Sequence, residues 1–356
     1  MVVLALCDVD RIGNGSALLK MAPSALNPDL EKLLRESSVE ERHLPLAIRR
    51  FMETMGASEP GAAMHIATQR ALSRYTNSFR DVGLPRDLLD QEPTTAHAPR
   101  GCVSVERLCS VLNVDLVGVP QRTDRSKREI ESTPYAKHGA SVKFTSPRPV
   151  INLSSDIGWA RGRVAAAHEI GHVLIHRRDF GYDQATIRLG STPAEEALAE
   201  YAARLLLVPL DLFGGQLEAI TDKNYAVRAL TIAQYAQVTL HTAAARLGDP
   251  DVSRHGIRGV IFWRVQNRRG TSAPPMEVLT PQWHLCPDAY IPVGRCKAGS
   301  GSLVQELSVE TTPVAGTRVE SVAIGGLRGT FIVDAFAWGS RADKTRVVMS
   351  VFRSEQ

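Results

Sequence analysis

Arg163-Val-Ala-Ala-Ala-His168-Glu169-Ile-Gly-His172-Val-Leu-Ile-His176 is the stretch on which the reading of this chain turns. Residues four apart on an α-helix project within about 40° of each other, so His168 and His172 can reach one ion from a single helix face. Neutral imidazoles suit a zinc-like cation, and Glu169, one residue along, lies beside the ion's open position. There the carboxylate can take a proton from an attacking water and return it to a leaving amine. The competing account is an ordinary helix that carries two histidines. The flanks weigh against it, because Val164–Ala167 and Ile170–Ile175 are apolar apart from the motif itself. A buried helix with two imidazoles and a carboxylate needs a polar partner for each, and a metal supplies one.

A catalytic tetrahedral site takes three protein ligands and a water. His176 lies two turns from His168, about 12 Å of helix rise, too far for all three rings to meet one ion; it reads as a helix-end residue. The next helix, Pro193 to Leu207, offers Glu195 and Glu196. Its apolar face is drawn by Ala194, Leu198, Tyr201, Ala202, Leu205 and Leu206. At about 100° per residue Glu195 falls on the edge of that face and Glu196 on the polar side, which favours Glu195 as third ligand. A plain alternative for either is a solvated acid in the first turn, favoured by the helix dipole. Arg163, His176 and Tyr182 are candidates to stabilise an oxyanion, and each also has an ordinary packing role. Manganese or iron would suit the same donors as zinc.

Outward from the motif, the chain of 356 residues is long enough for two or three domains. Apolar residues at 44% and charged residues at 22% place it among ordinary globular proteins. No run approaches the roughly 18 apolar residues of a membrane span. Asp8, Asp10 and Arg11 interrupt the apolar start before a signal-peptide core forms, so a cytoplasmic location is expected. Cys7, Cys102, Cys109, Cys286 and Cys296 form no C-x-x-C pair, which argues against a disulfide framework and against a cysteine-built zinc site. A net charge of +4 is mild and does not predict nucleic-acid binding. The densest basic run, Arg122 to Arg128, is interleaved with Asp124 and reads as a solvated linker.

The order of elements predicts an α+β fold. Helical periodicity marks Leu30–Leu34, Leu44–Met55 and Gly61–Phe79. Residues 92–100 are rich in helix and strand breakers and mark a boundary. A short helix over Val103–Leu112 precedes strands at Val114–Val119, Ala140–Phe144 and Pro149–Leu153. After the two motif helices comes a helical region from Tyr225 to Leu247. From Gly256 onward the segments Gly256–Val265, Met276–Leu279, Leu303–Leu307, Arg318–Ile324, Gly329–Ala337 and Thr345–Phe352 alternate with Gly, Pro and Ser and read as β-structure, with a hairpin turn at Asn267–Gly270. Four divisions follow: 1–95, mostly helical and of unassigned role; 96–215, the core that holds the motif; 216–250, helical; and 251–356, β-rich.

The motif pair resembles the ImmA/IrrE metallopeptidases. The residues that carry the likeness are Arg163, His-Glu-Ile-Gly-His at 168–172, and Glu195-Glu-Ala-Leu-Ala-Glu-Tyr-Ala-Ala-Arg-Leu-Leu-Leu-Val-Pro209. That family follows its zinc helix with a glutamate and then Asn-x-Phe-Ala-Ala-x-Leu-Leu-Met-Pro. Aligning Tyr201-Ala202-Ala203 with Phe-Ala-Ala selects Glu195, whereas counting back from Pro209 selects Glu196. The family's asparagine falls at Ala199 or Glu200 and is absent. Ile232–Leu247 is similar to the helix-turn-helix-like segment that follows the peptidase core in this family. The likeness spans about residues 102–250, and the β-rich end resembles the sensor-like C-terminal domain of some members in architecture only.

The resemblance implies a zincin-like peptidase core, a zinc cofactor and a protein substrate, a helix-turn-helix repressor in a stress-response or mobile-element switch. A second class is a non-catalytic regulator that binds DNA or a protein through the Tyr225–Leu247 region; the few basic residues there, Lys223, Arg228 and Arg246, weaken its DNA-binding form. A third is a toxin-like or defence component with residues 1–95 as its partner-binding module.

Overall fold

The structure is a computed structural model. It describes residues 44–81, 102–119, 139–144, 148–155, 157–178, 181–187, 191–209, 224–249, 256–268, 276–286, 291, 296–310, 312–339 and 346–354. The expectations for Leu30–Leu34, for the boundary at 92–100, for the basic run and for the turn residues Arg269 and Gly270 lie outside these. The described residues form two compact units, one of 44–209 with 232–242 and the other of 224–231 with 243–354. Each is taken by itself. No helix among the described residues is long and apolar enough to cross a membrane.

The first unit opens with two helices. α1 (Leu46–Met55) buries Ala47, Ile48, Phe51 and Met52, one stripe at helical spacing. It stops at Gly56, whose φ of 67° is left-handed and whose N–H donates to the Glu53 carbonyl. α2 (Pro60–Asp81) follows, and both helices pack against the motif helices described below. α3 (Val105–Val111) is capped by Ser104, whose hydroxyl accepts from the Arg107 N–H. Three strands make a small mixed sheet: β1 (Asp115–Val119), β2 (Ala140–Lys143) and β3 (Val150–Ser154), in the order β1-β3-β2. β3 is central, parallel to β1 and antiparallel to β2. Among the described residues β2 is therefore an edge strand, with Val142 paired to Ile151.

α4 (Trp159–His176) lies on this sheet and is buried along nearly its whole length from Gly162 onward. A short hairpin, β4 (Arg177–Arg178) with β5 (Gly181–Tyr182), and α5 (Gln184–Ile187) lead to α6 (Pro193–Leu207), the main packing partner of α4. The helical region expected from Tyr225 to Leu247 is two helices, α7 (Tyr225–Ala236) and α8 (Leu240–Gly248). Gln237 breaks it by adopting a left-handed φ of 53°, a conformation that ends a helix.

The second unit is built on one antiparallel sheet, as the alternating pattern predicted. Its strands are β6 (Ile257–Arg268), β7 (Met276–Leu285), β8 (Val314–Ile324), β9 (Leu327–Trp338) and β10 (Val347–Ser354), in the order β7-β6-β10-β9-β8. One expectation fails. Leu303–Leu307, read as β-structure, belongs to α9 (Leu303–Val309). Ser302 caps it by accepting from the Gln305 N–H, and Leu303, Val304 and Leu307 bury one face in the sheet's core with Ile261, Trp263 and Val333. Apolar residues at i, i+1 and i+4 after a serine cap are helical spacing; the surrounding strands hid it.

Candidate metal centre

Three things fix α4 in place. The Arg163 guanidinium, buried in the second turn, donates to the Val103 carbonyl at 2.8 Å, the Ala236 carbonyl at 3.3 Å and the Gln237 carbonyl at 3.2 Å. The last two belong to the end of α7, where helix carbonyls lack partners of their own. Arg163 is thus a clamp for backbone ends, with three of its five N–H donors given to carbonyls. At the other end His176 Nδ1 meets Thr186 Oγ1 at 2.9 Å, while that hydroxyl donates to the Asp183 carbonyl at 3.0 Å. With its one hydrogen so used, Thr186 accepts from the ring. Burial holds the His176 pKa down at about 4, so the ring is neutral, and its edge packs on Phe144 at 5.3 Å. His176 is the helix-end residue expected from its spacing. Tyr182 also packs on Phe144, at 5.5 Å.

The third fixture is Gly171. A β-carbon there would stand 2.6 Å from the Ala199 Cα and 2.9 Å from its carbonyl oxygen, both backbone atoms of α6. The glycine in His-Glu-Ile-Gly-His thereby lets α6 close on the motif helix. Ala199 and Ala202 at the contact are small for the same reason.

That close approach brings a carboxylate to the histidines. His168 Nε2 lies 3.2 Å from His172 Nε2 and 3.2 Å from Glu196 Oε2, and His172 Nε2 is 3.6 Å from Glu196 Oε1. Among the described residues these three form the only group of histidine, cysteine and acid ligand atoms converging on one point. Ligands at about 2.0–2.1 Å around a tetrahedral ion stand about 3.3 Å apart, so the separations fit a zinc-like centre. The donor chemistry fits too. Two imidazole nitrogens and a carboxylate are the donor set of a zinc-like ion, which would take one lone pair from each.

The third residue is Glu196, where face geometry preferred Glu195. Glu195 is spent on the start of α6. Its carboxylate accepts from the Thr192 N–H at 2.9 Å while its own N–H donates to the Thr192 hydroxyl at 3.3 Å, a capping box. It is inward, as predicted, but for its cap. The signal was in the sequence: Thr192-Pro-Ala-Glu195 is a Thr-x-x-Glu capping box with proline in the first turn. The count back from Pro209 also pointed to Glu196.

Glu169 lies beside the trio and is buried, and its Oε2 accepts from the Val142 N–H of the edge strand β2 at 2.8 Å. Burial raises its pKa, with the His172 charge and the Val142 N–H working against the rise. Burial would raise Glu196 as well, but hydrogen bonds from His168 and His172 outweigh it and hold that carboxyl well below the usual range. For His172 burial favours the neutral ring, and Glu196 and Glu169 overcome it, so its pKa is raised. Two carboxylates in one pocket are thus pushed in opposite directions. One is fixed as an anion among imidazoles, and the other is made a better proton acceptor, the arrangement that separates a ligand from a base.

No curated protein sequence matches the chain. A solved Mycobacterium tuberculosis transcriptional regulator is similar over 92% of this chain and 81% of its own, at 12% identity and a TM-score of 0.44; a likeness of that degree carries no functional argument. The family model for the IrrE N-terminal-like domain, Peptidase_M78, matches residues 128–248. That interval contains α4, α6, the histidine–glutamate cluster and Glu169, so residues 128–248 match an IrrE N-terminal-like domain and support the ImmA/IrrE resemblance of the motif helices.

Proposed function

We propose that this domain is a metal-dependent endopeptidase, with zinc held by His168, His172 and Glu196 and with Glu169 as general base and acid. The observation that carries the reading is the convergence of those three ligand atoms beside a buried carboxylate with a raised pKa. When bound, the cation would supply Lewis acidity for a substrate carbonyl and for water. Glu169 does the proton work. The Val142 N–H holds one of its oxygens, which leaves the other to take a proton from water and deliver it to the leaving nitrogen. β2 is an edge strand among the described residues, and an extended peptide laid along such an edge gains main-chain hydrogen bonds that place its carbonyl. Tyr182 is the remaining oxyanion candidate, since Arg163 and His176 are committed elsewhere.

The substrate class, a helix-turn-helix repressor in a stress-response or mobile-element switch, comes from the ImmA/IrrE resemblance. The alternative of a non-catalytic regulator that binds DNA through α7 and α8 is weakened by how their cations are used. Arg228 lies over the Tyr225 ring at 4.6 Å, and Arg246 is buried against Asp249 at 3.2 Å. The test is cleavage of candidate repressors by the wild type and by Glu169→Gln, with metal content measured on both. A loss of about 10²–10⁴-fold in rate at unchanged metal content is expected. Cleavage at the wild-type rate by the variant would overturn the reading.

A further inference from the structure

The sheet of the second unit ends, among the described residues, in a strand paired on one side only. β8 is last in the order and pairs with β9 alone, without a register shift, over its eleven residues. Ala315, Thr317, Val319, Ser321 and Ala323 are exposed along it, Val319 at 52%. Long open edges invite pairing with another chain, and proteins usually blunt them with lysine, proline or a bulge. Between Val314 and Ile324 there is no lysine and no proline.

The strand is also complementary to itself. Laid antiparallel on a second copy with Val319 opposite Val319, it sets Arg318 opposite Glu320, Thr317 opposite Ser321, Ala315 opposite Ala323 and Val314 opposite Ile324. Apart from Gly316 opposite Val322, these are pairs that antiparallel strands favour: opposite charges, hydroxyl with hydroxyl, apolar with apolar. We propose that β8 pairs with the β8 of a second copy about a two-fold axis through Val319, joining two five-stranded sheets into one. Such an interface is isologous, the usual form for a dimer. Charge fixes the register. Moving the axis to 318 opposes Arg318 to its own copy, moving it to 320 does the same for Glu320, and like charges directly opposite destabilise. Within each copy Arg318 Nη1 donates to Glu306 at 2.9 Å and lies 3.6 Å from Glu320, whose Oε1 accepts from the Leu303 N–H at 2.6 Å, so pairing across the axis extends an ion network that each copy already holds.

The contact is small. Eleven residues span about 37 Å, and a strip about 10 Å deep gives roughly 400 Å² per copy, about half of the ~800 Å² per partner in a standard interface. The dimer is accordingly weak and concentration-dependent. Sedimentation of the full chain from about 1 μM to about 0.5 mM is expected to show dimer in the upper part of that range. Val319→Lys, at an exposed position, should keep the melting temperature and weaken dimerisation at least tenfold, a change of about 1.4 kcal/mol. Val319→Cys should form covalent dimers under oxidation beyond the wild-type background. Thr317→Cys and Ser321→Cys should each fail alone and cross-link when mixed. A wild type that stays monomeric throughout, a Val319→Lys chain that dimerises unchanged, or a Ser321→Cys chain that cross-links by itself as fast as Val319→Cys would overturn the proposal.

Discussion

Two buried polar clusters in this protein differ in how their charges are answered. In the second unit Asp334 is fully buried, with one oxygen accepting from Thr317 at 2.7 Å and the other from Arg353 at 2.7 Å, while Arg353 lies over the Tyr225 ring at 4.5 Å. Each acceptor there has a donor from the protein itself. In the first unit the ligand atoms of His168, His172 and Glu196 converge on one point, and the Val142 N–H serves Glu169 beside them. The first pattern completes a fold, whereas the second calls for something from outside it. Asp334 is fully buried and answered by two donors, whereas Glu196 is part-exposed and its oxygens share one point with two imidazole nitrogens, which is the arrangement of a site.

The comparison breaks first at Glu196. Glu196→Gln should lower metal affinity by more than the 10–100-fold typical of a supporting residue, roughly 10²-fold or beyond, when metal per chain is measured after dialysis. Glu195→Ala should leave metal content near wild type and cost about 1 kcal/mol through the lost cap. Equal metal loss in both variants would refute the assignment. Asp334→Ala should act on stability alone. Removing one partner of a buried ion pair costs about 3–5 kcal/mol, read by denaturant unfolding, with metal content unchanged. Gly171→Ala joins the two measures. Its methyl meets α6 backbone at 2.6 Å, so the helices must part, at about 1–3 kcal/mol, and metal content should fall because Glu196 moves away with α6.

The smallest effect is a pH slope. His176 titrates near 4 in the fold, below the ordinary histidine value of about 6.5. Between those values the unfolded chain binds a proton that the folded chain does not. Stability is therefore full above about pH 6.5 and falls as pH drops toward 4. His176→Gln should unfold with a shallower slope across that window, whatever its stability at neutral pH. An unchanged slope would mean that the ring is not held neutral.

Much of the fold was legible because its signals are local. Apolar spacing marked α1, α2, α4 and α6, and alternation marked the C-terminal strands. Where the reading slipped, a local signal was overlooked or a neighbour decided. Leu303–Leu307 was read in the texture of adjacent strands although Ser302 announced a helix. Periodicity marks Tyr225–Leu247 only as a helical region, and a turn inside it is implied by the likeness to a helix-turn-helix-like segment; Gln237 makes that turn with a left-handed φ that few side chains adopt.

By itself the sequence determined that a buried helix carries His168, Glu169 and His172 on neighbouring positions, because helical geometry follows from spacing alone. It also narrowed the third acid to two adjacent residues. Only the tertiary structure chose between them. Adjacent positions on a helix point about 100° apart, so either acid looked admissible until the approach of α6 to α4 was known. The capping box claims Glu195, and Gly171 lets the helices close until Glu196 reaches the imidazoles. The same holds for the Val142 N–H on Glu169, a contact between residues 27 positions apart that no periodicity encodes.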